Sequence, residues 1–202
     1  MKLICETNTV QEYLLELDEV DFSHPLIKDK VKELFQNKIN EIEIIQTAFE
    51  FVRDQISHSW DIQSTRITNK ASEVLEYKEG ICYAKSNLLA ALLRCKGIPT
   101  GFCYQKLTVG SSPESGYCVH CLNAVYIQSL ERWIRLDARG NKEGVNAQFS
   151  FSEEKLAFPI REQYSEIDYP IIFSKPNTKT IKTLKENTNC INMYLHKLPT
   201  EL

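Results

Sequence analysis

The stretch GICYAKSNLLAALLRCKGIP, residues 80–99, decides the fold. From Cys82 to Lys96 it has helical spacing, with Leu88, Leu89, Leu92 and Leu93 on one stripe. Gly97 is a helix stop and Pro99 bars continuation. Gly80 stands just ahead, so Cys82 falls at the helix N-terminus, where unpaired backbone N–H groups favour a thiolate. That field is worth about 0.3–1 kcal/mol, which by itself makes an incomplete nucleophile. An imidazolium partner is needed.

Upstream, the sequence is helical. Val10, Tyr13, Leu14 and Leu17 predict one helix, and Ile27, Val31, Leu34 and Phe35, behind Ser23-His24-Pro25, a second. Ile44, Ile45, Ala48, Phe49 and Val52 mark a third over about 41–56. Thr68-Asn69 caps a short one through Val74 and Leu75. Downstream the period falls to two, and 100–109, 117–128 and 132–137 read as strands with a tight turn near 129–131. Helices followed by a strand meander imply α+β, with a helix laid on an antiparallel sheet. Lys175 to Asn189 is polar and reads as a surface segment whose ends pack on the core.

His120 is the candidate partner of Cys82. Its face of the strand continues as Leu122, Ala124 and Tyr126, an apolar set that should pack on the central helix and bring His120 to the rim of that interface. The hairpin brings Asp137 opposite roughly 120–123, where a carboxylate can hold the imidazole in one tautomer. Trp133, Arg135 and Asp137 alternate onto one face, so a bulge or the strand end is needed to turn Asp137 toward the histidine. By residue type alone a plainer reading competes: a small buried thiol, a hydrogen-bonded strand histidine and a turn-forming aspartate.

Composition narrows the function. Of 202 residues, 43% are hydrophobic and 25% charged, ordinary for a globular chain. A net charge of −3 leaves no basic face to suggest nucleic acid or an anionic membrane as partner. No stretch is apolar for long enough to span a bilayer or to serve as a secretory leader. An odd count of seven cysteines fits a reduced, cytoplasmic setting.

Residues 80–99, together with a later strand histidine (His120) and Trp-x-x-x-Asp (Trp133 to Asp137), resemble the transglutaminase-like superfamily over about 45–150. The resemblance implies a papain-like/transglutaminase core, with the nucleophile helix packed on an antiparallel sheet and helices N-terminal to it. It divides the chain into a helical extension (1–40), a catalytic core (41–150) and a completing or covering segment (151–202). It also implies thiol-dependent acyl transfer from a peptide, protein or small-molecule amide through a thioester, ending on water or on an amine. Cys82 is then nucleophile, His120 base and later acid, Asp137 orienter, and the Cys82 N–H an oxyanion donor. Trp60, in His58-Ser59-Trp60, is a second candidate donor, against a role in packing beneath the helix. A non-catalytic binding domain with the same fold is the alternative.

Neither cofactor nor metal is expected. Cys118-Val119-His120-Cys121 has the look of half a zinc site, but Cys121 should point away from Cys118 and His120, and no second ligand pair exists. No calcium loop is recognisable.

Overall fold

A computed structural model describes residues 1–202. Its helices are α1 (Pro25–Phe35), α2 (Glu41–Gln55), α3 (Ala71–Tyr77), α4 (Cys82–Cys95), α5 (Thr178–Glu186) and α6 (Cys190–His196). Its strands are β1 (Ile4–Cys5), β2 (Ser57–His58), β3 (Glu79–Gly80), β4 (Thr100–Thr108), β5 (Tyr117–Ile127), β6 (Arg132–Leu136), β7 (Ile167–Asp168) and β8 (Ile171–Ile172). None of the helices is long and apolar enough to cross a membrane.

Helix α4 is the axis. Every residue from Cys82 to Arg94 is buried, so the leucine stripe belongs to a helix covered on all sides rather than to an amphipathic one. Helices α1, α2 and α3 pack on it, as do β4 and β5. At its end Gly97 takes φ 73°, and Ile98 N–H closes back on the Leu93 carbonyl at 3.0 Å. Arg94 is 3% exposed with no carboxylate beside it. It donates instead to the carbonyls of Leu15 (2.7 Å), Thr100 (3.1 and 2.7 Å) and Ser174 (2.7 Å), tying three distant segments to the helix.

The four-stranded antiparallel sheet has the order β6-β5-β4-β7. Its register pairs Gln105 with His120 and Asn123 with Leu136. Val119, Cys121, Val125, Ile127, Ile134 and Leu136 join the main core with α4. Leu122 and Ala124 lie on the other face, against Tyr13, Cys103 and Ile172. The apolar set following His120 therefore packs away from the helix, contrary to the sequence reading. The same register places Asp137 across from Leu122, so Asp137, Arg135 and Trp133 share the outer face with His120, and no bulge is needed.

Three other expectations change. The Val10–Leu17 helix is one 3-10 segment, Val10–Leu14, whose Tyr13 fills the outer-face core. The segment after Lys175 forms α5 and α6, which bury Leu184, Cys190 and Met193. Short pairings also fall outside the expected meander: β1 with β8, β2 with β3, and β7 on the edge of β4.

Candidate active site

Two structural details bring the N-terminus of α4 to His120. Strand β6 stops at Leu136, opposite Asn123, so β5 from Tyr117 to Cys121 has no strand partner on that side. The first turn of α4 fills the gap, and Tyr83 Oη donates to the Val119 carbonyl at 2.6 Å. Cys82 and His120 are thus the chain neighbours of a directly bonded pair, although helix and imidazole belong to opposite faces of the sheet. Both line one cavity of about 340 Å³, with Leu107, Val109, Phe158 and Pro159 among its apolar walls. Cys82 itself is only 9% exposed.

His120 Nε2 lies 2.8 Å from Asp137 Oδ2, and both side chains are buried. Asp137 is held in turn by backbone N–H donors, Arg139 to Oδ1 (3.1 Å) and Ala157 to Oδ2 (3.2 Å). Phe158 stands edge-on to the imidazole, centroids 5.1 Å apart. With Nε2 committed to Asp137, Nδ1 is the nitrogen left for the thiol. Burial opposes charge on His120, yet the Asp137 carboxylate, and after it the charge and hydrogen bonding of Cys82, raise its pKa to about 10. Burial likewise opposes charge on Asp137, but His120 and the two backbone donors hold its carboxyl below the ordinary range. An imidazolium-carboxylate pair is therefore the favoured state at neutral pH.

Residues 28–138, more than half of the chain, match the family model of the transglutaminase-like superfamily. The chain belongs to this superfamily. A candidate cysteine protease from Cytophaga hutchinsonii superposes with a TM-score of 0.53 at 16% identity, over 66% of this chain and 43% of that one. The periplasmic domain of TgpA from Pseudomonas aeruginosa gives 0.48 at 14%, over 64% and 46%. The first likeness concerns fold alone, and the matched region spans less than half of either relative. No curated protein matches the sequence.

Against this transglutaminase-like frame, the structure brings Cys82, His120 and Asp137 together and leaves Trp60 aside. The Trp60 indole stacks on Tyr194, with centroids 4.5 Å apart and planes 12° from parallel, and it does not line the cavity. Its neighbour His58, which the sequence reading passed over, does line it. Strand pairing of His58 with Gly80 fixes that residue two positions ahead of Cys82. His58 is 5% exposed, and its Nδ1 is sealed without a hydrogen-bond partner. A sealed lone pair is tolerated better than a sealed N–H, which assigns the proton to Nε2. Burial, and then the Arg139 charge, push the His58 pKa well below the ordinary value, so the ring is a neutral donor.

Arg139 has two functions. Its backbone steadies Asp137, and its guanidinium grips Asp61 with both Nη atoms, tying the loop that follows His58 to the segment that follows β6. Beneath lies Lys85, one helical turn from Cys82, with Nζ 2.5 Å from the Ile56 carbonyl. Burial, reinforced by Arg139, lowers the Lys85 pKa to about 7. Cys118 shares the cavity with His120, while Cys121 lies in the core on the other face. No group of three His, Cys, Asp or Glu side chains converges as a metal site would require.

Proposed function

We propose that this protein is a thiol-dependent acyl-transfer enzyme that cleaves an amide through a thioester on Cys82. The observation that carries the reading is the buried His120–Asp137 pair at 2.8 Å, opening onto the same cavity as a helix-N-terminal cysteine. An imidazolium kept charged by Asp137 favours a thiolate beside it, supplying what the helix terminus alone cannot.

The Cys82 sulfur attacks the amide carbon, and the carbonyl oxygen takes up the negative charge. The Cys82 N–H and His58 Nε2–H are the donors assigned to that oxygen. As the tetrahedral intermediate collapses, the C–N bond breaks and His120 gives its proton to the leaving nitrogen. Neutral His120 then takes a proton from the incoming water or amine as it attacks the thioester, and the C–S bond breaks to release Cys82 as the thiolate beside a recharged His120.

The test is competitive labelling of the native protein with iodoacetamide at pH 7, read by peptide mass spectrometry. Cys82 should react well ahead of the half-exposed Cys5, Cys95 and Cys118 despite being more buried than they are. Labelling of Cys82 no faster than these three would sink the nucleophile assignment.

The His58 role has its own signature. His58→Ala should weaken binding of a peptide aldehyde, which forms a tetrahedral adduct, by roughly 10²–10³-fold. Alkylation by iodoacetamide creates no oxyanion and should keep its rate. Equal losses in the two assays would reduce His58 to a structural residue.

A further inference from the structure

The unpaired edge of β5 is occupied, and the occupant is the chain itself. Odd-numbered residues of β5 direct their backbone N–H and C=O toward β6, and beyond Asn123 there is no β6 to receive them. At Val119, next to His120, the carbonyl accepts from Tyr83 Oη at 2.6 Å and the N–H donates to the Pro199 carbonyl at 2.7 Å. The residue before that proline, Leu198, lines the cavity that holds Cys82. Bent backbone of residues 198–200 thus meets the rim of the site, with an aliphatic residue entering its wall.

Leu198 and Leu202 pack against the main core, but the polar contacts that hold this segment are weak. Beyond Pro199, Lys106 Nζ reaches Glu201 Oε1 at 3.4 Å, and Lys179 Nζ reaches the Glu201 carbonyl at 3.2 Å. Both contacts are exposed, and exposed ion pairs contribute little. A peptide offering the same carbonyl and an aliphatic side chain would make the same main-chain bond. The rest of the apolar wall, Leu107, Val109, Phe158 and Pro159, suits an aliphatic group.

We infer that the Val119 edge is a main-chain subsite for an extended peptide with a bulky aliphatic side chain, and that residues 198–200 fill it as an internal stand-in. This rests on the acyl-transfer reading above and narrows its substrate class to peptides. Any such substrate must displace the segment, which makes cleft occupancy a competition between internal and external chain.

The experiment compares the whole chain with one ending at Lys197. If the segment covers the cleft most of the time, its removal should speed iodoacetamide labelling of Cys82 by about tenfold or more. A synthetic Leu-Pro-Thr-Glu-Leu peptide should restore protection and shift the Val119 amide resonance of the shortened chain. Leu198→Asp, which puts a carboxylate into an apolar wall, should open the cleft in the 202-residue chain if the shortened one fails to fold. Unchanged labelling in the variant that folds, with no Val119 shift on adding peptide, overturns the subsite. Cys82 labelled no faster than Cys95 in any chain, with the Val119 shift present, would instead overturn the thiol chemistry and keep the peptide edge.

Discussion

His120→Ala is expected to slow the alkylation of Cys82 at pH 7 by roughly ten- to thirtyfold, because a cysteine without a charged partner is only a few per cent thiolate at neutral pH. The reason is specific to this site. His120 Nε2 is committed to Asp137, and that carboxylate keeps the ring charged against the opposing effect of burial. Without the ring, Cys82 retains only the helix terminus, worth about 0.3–1 kcal/mol. Asp137→Asn should act through the same ring. Burial then prevails and His120 loses the charge that Asp137 sustains, so alkylation of Cys82 should slow in this variant too. The stability linkage has a definite sign. A raised His120 pKa contributes stability that is complete below the ordinary value of 6.5 and is lost as pH climbs through about 10. A depressed Asp137 pKa contributes stability present above the ordinary 3.8 and lost as pH falls below it. Stopped-flow alkylation across pH, with thermal melts alongside, reads both effects. An H120A rate within a few-fold of the parent would break the mechanism.

Arg94→Ala should cost about 3–5 kcal/mol, the upper range for a large-to-small change at a buried, hydrogen-bonded site. Two effects compete here. Burial penalises the guanidinium and lowers its pKa to about 10, so deleting it relieves some desolvation. But four bonds to three carbonyls vanish with it, the buried acceptors of Thr100 and Ser174 are orphaned at about 1–3 kcal/mol each, and a cavity opens against α4. The losses outweigh the relief. At about 2–4 °C per kcal/mol for a chain of this size, the melting midpoint should fall by roughly 6–20 °C. Arg94→Lys keeps the charge, but its compact ammonium cannot span Leu15, Thr100 and Ser174, and it should fall between the two. An unchanged R94A midpoint would show that other contacts hold these segments.

Much of this was legible in the chain. Gly80, Gly97 and Pro99 bracket α4 to within a residue, and the three long strands fall where alternation puts them. Which way β5 faces was not legible. Leu122 and Ala124 on one side, and Val119, Cys121, Val125 and Ile127 on the other, are all apolar, because the sheet is covered on both faces. A strand buried twice has no inside-outside signal, and the misread face of His120 produced the apparent misfit of Asp137. For Trp60 the sequence leaves donor and packing roles side by side, and it packs, on a Tyr194 that is remote in sequence and lies on a helix that too few apolar residues announce. His58 was passed over for the neighbouring indole, though a histidine two residues before a tryptophan is also a donor candidate. Only the β2–β3 pairing, two residues long, brings it to Cys82.

Strand β6 ends at Leu136, short of the start of β5. That early end is an aperture. The helix carries the sulfur on one side of the sheet, the hairpin carries the nitrogen and carboxylate on the other, and they meet only where the wall between them is missing. The hairpin turn therefore tunes the aperture. One residue gained or lost between Ile127 and Arg132 would slip β6 against β5, turn Asp137 to the helix side and part it from His120, with every reactive side chain still present. In this architecture, chemistry can be gained or lost by the length of a surface turn.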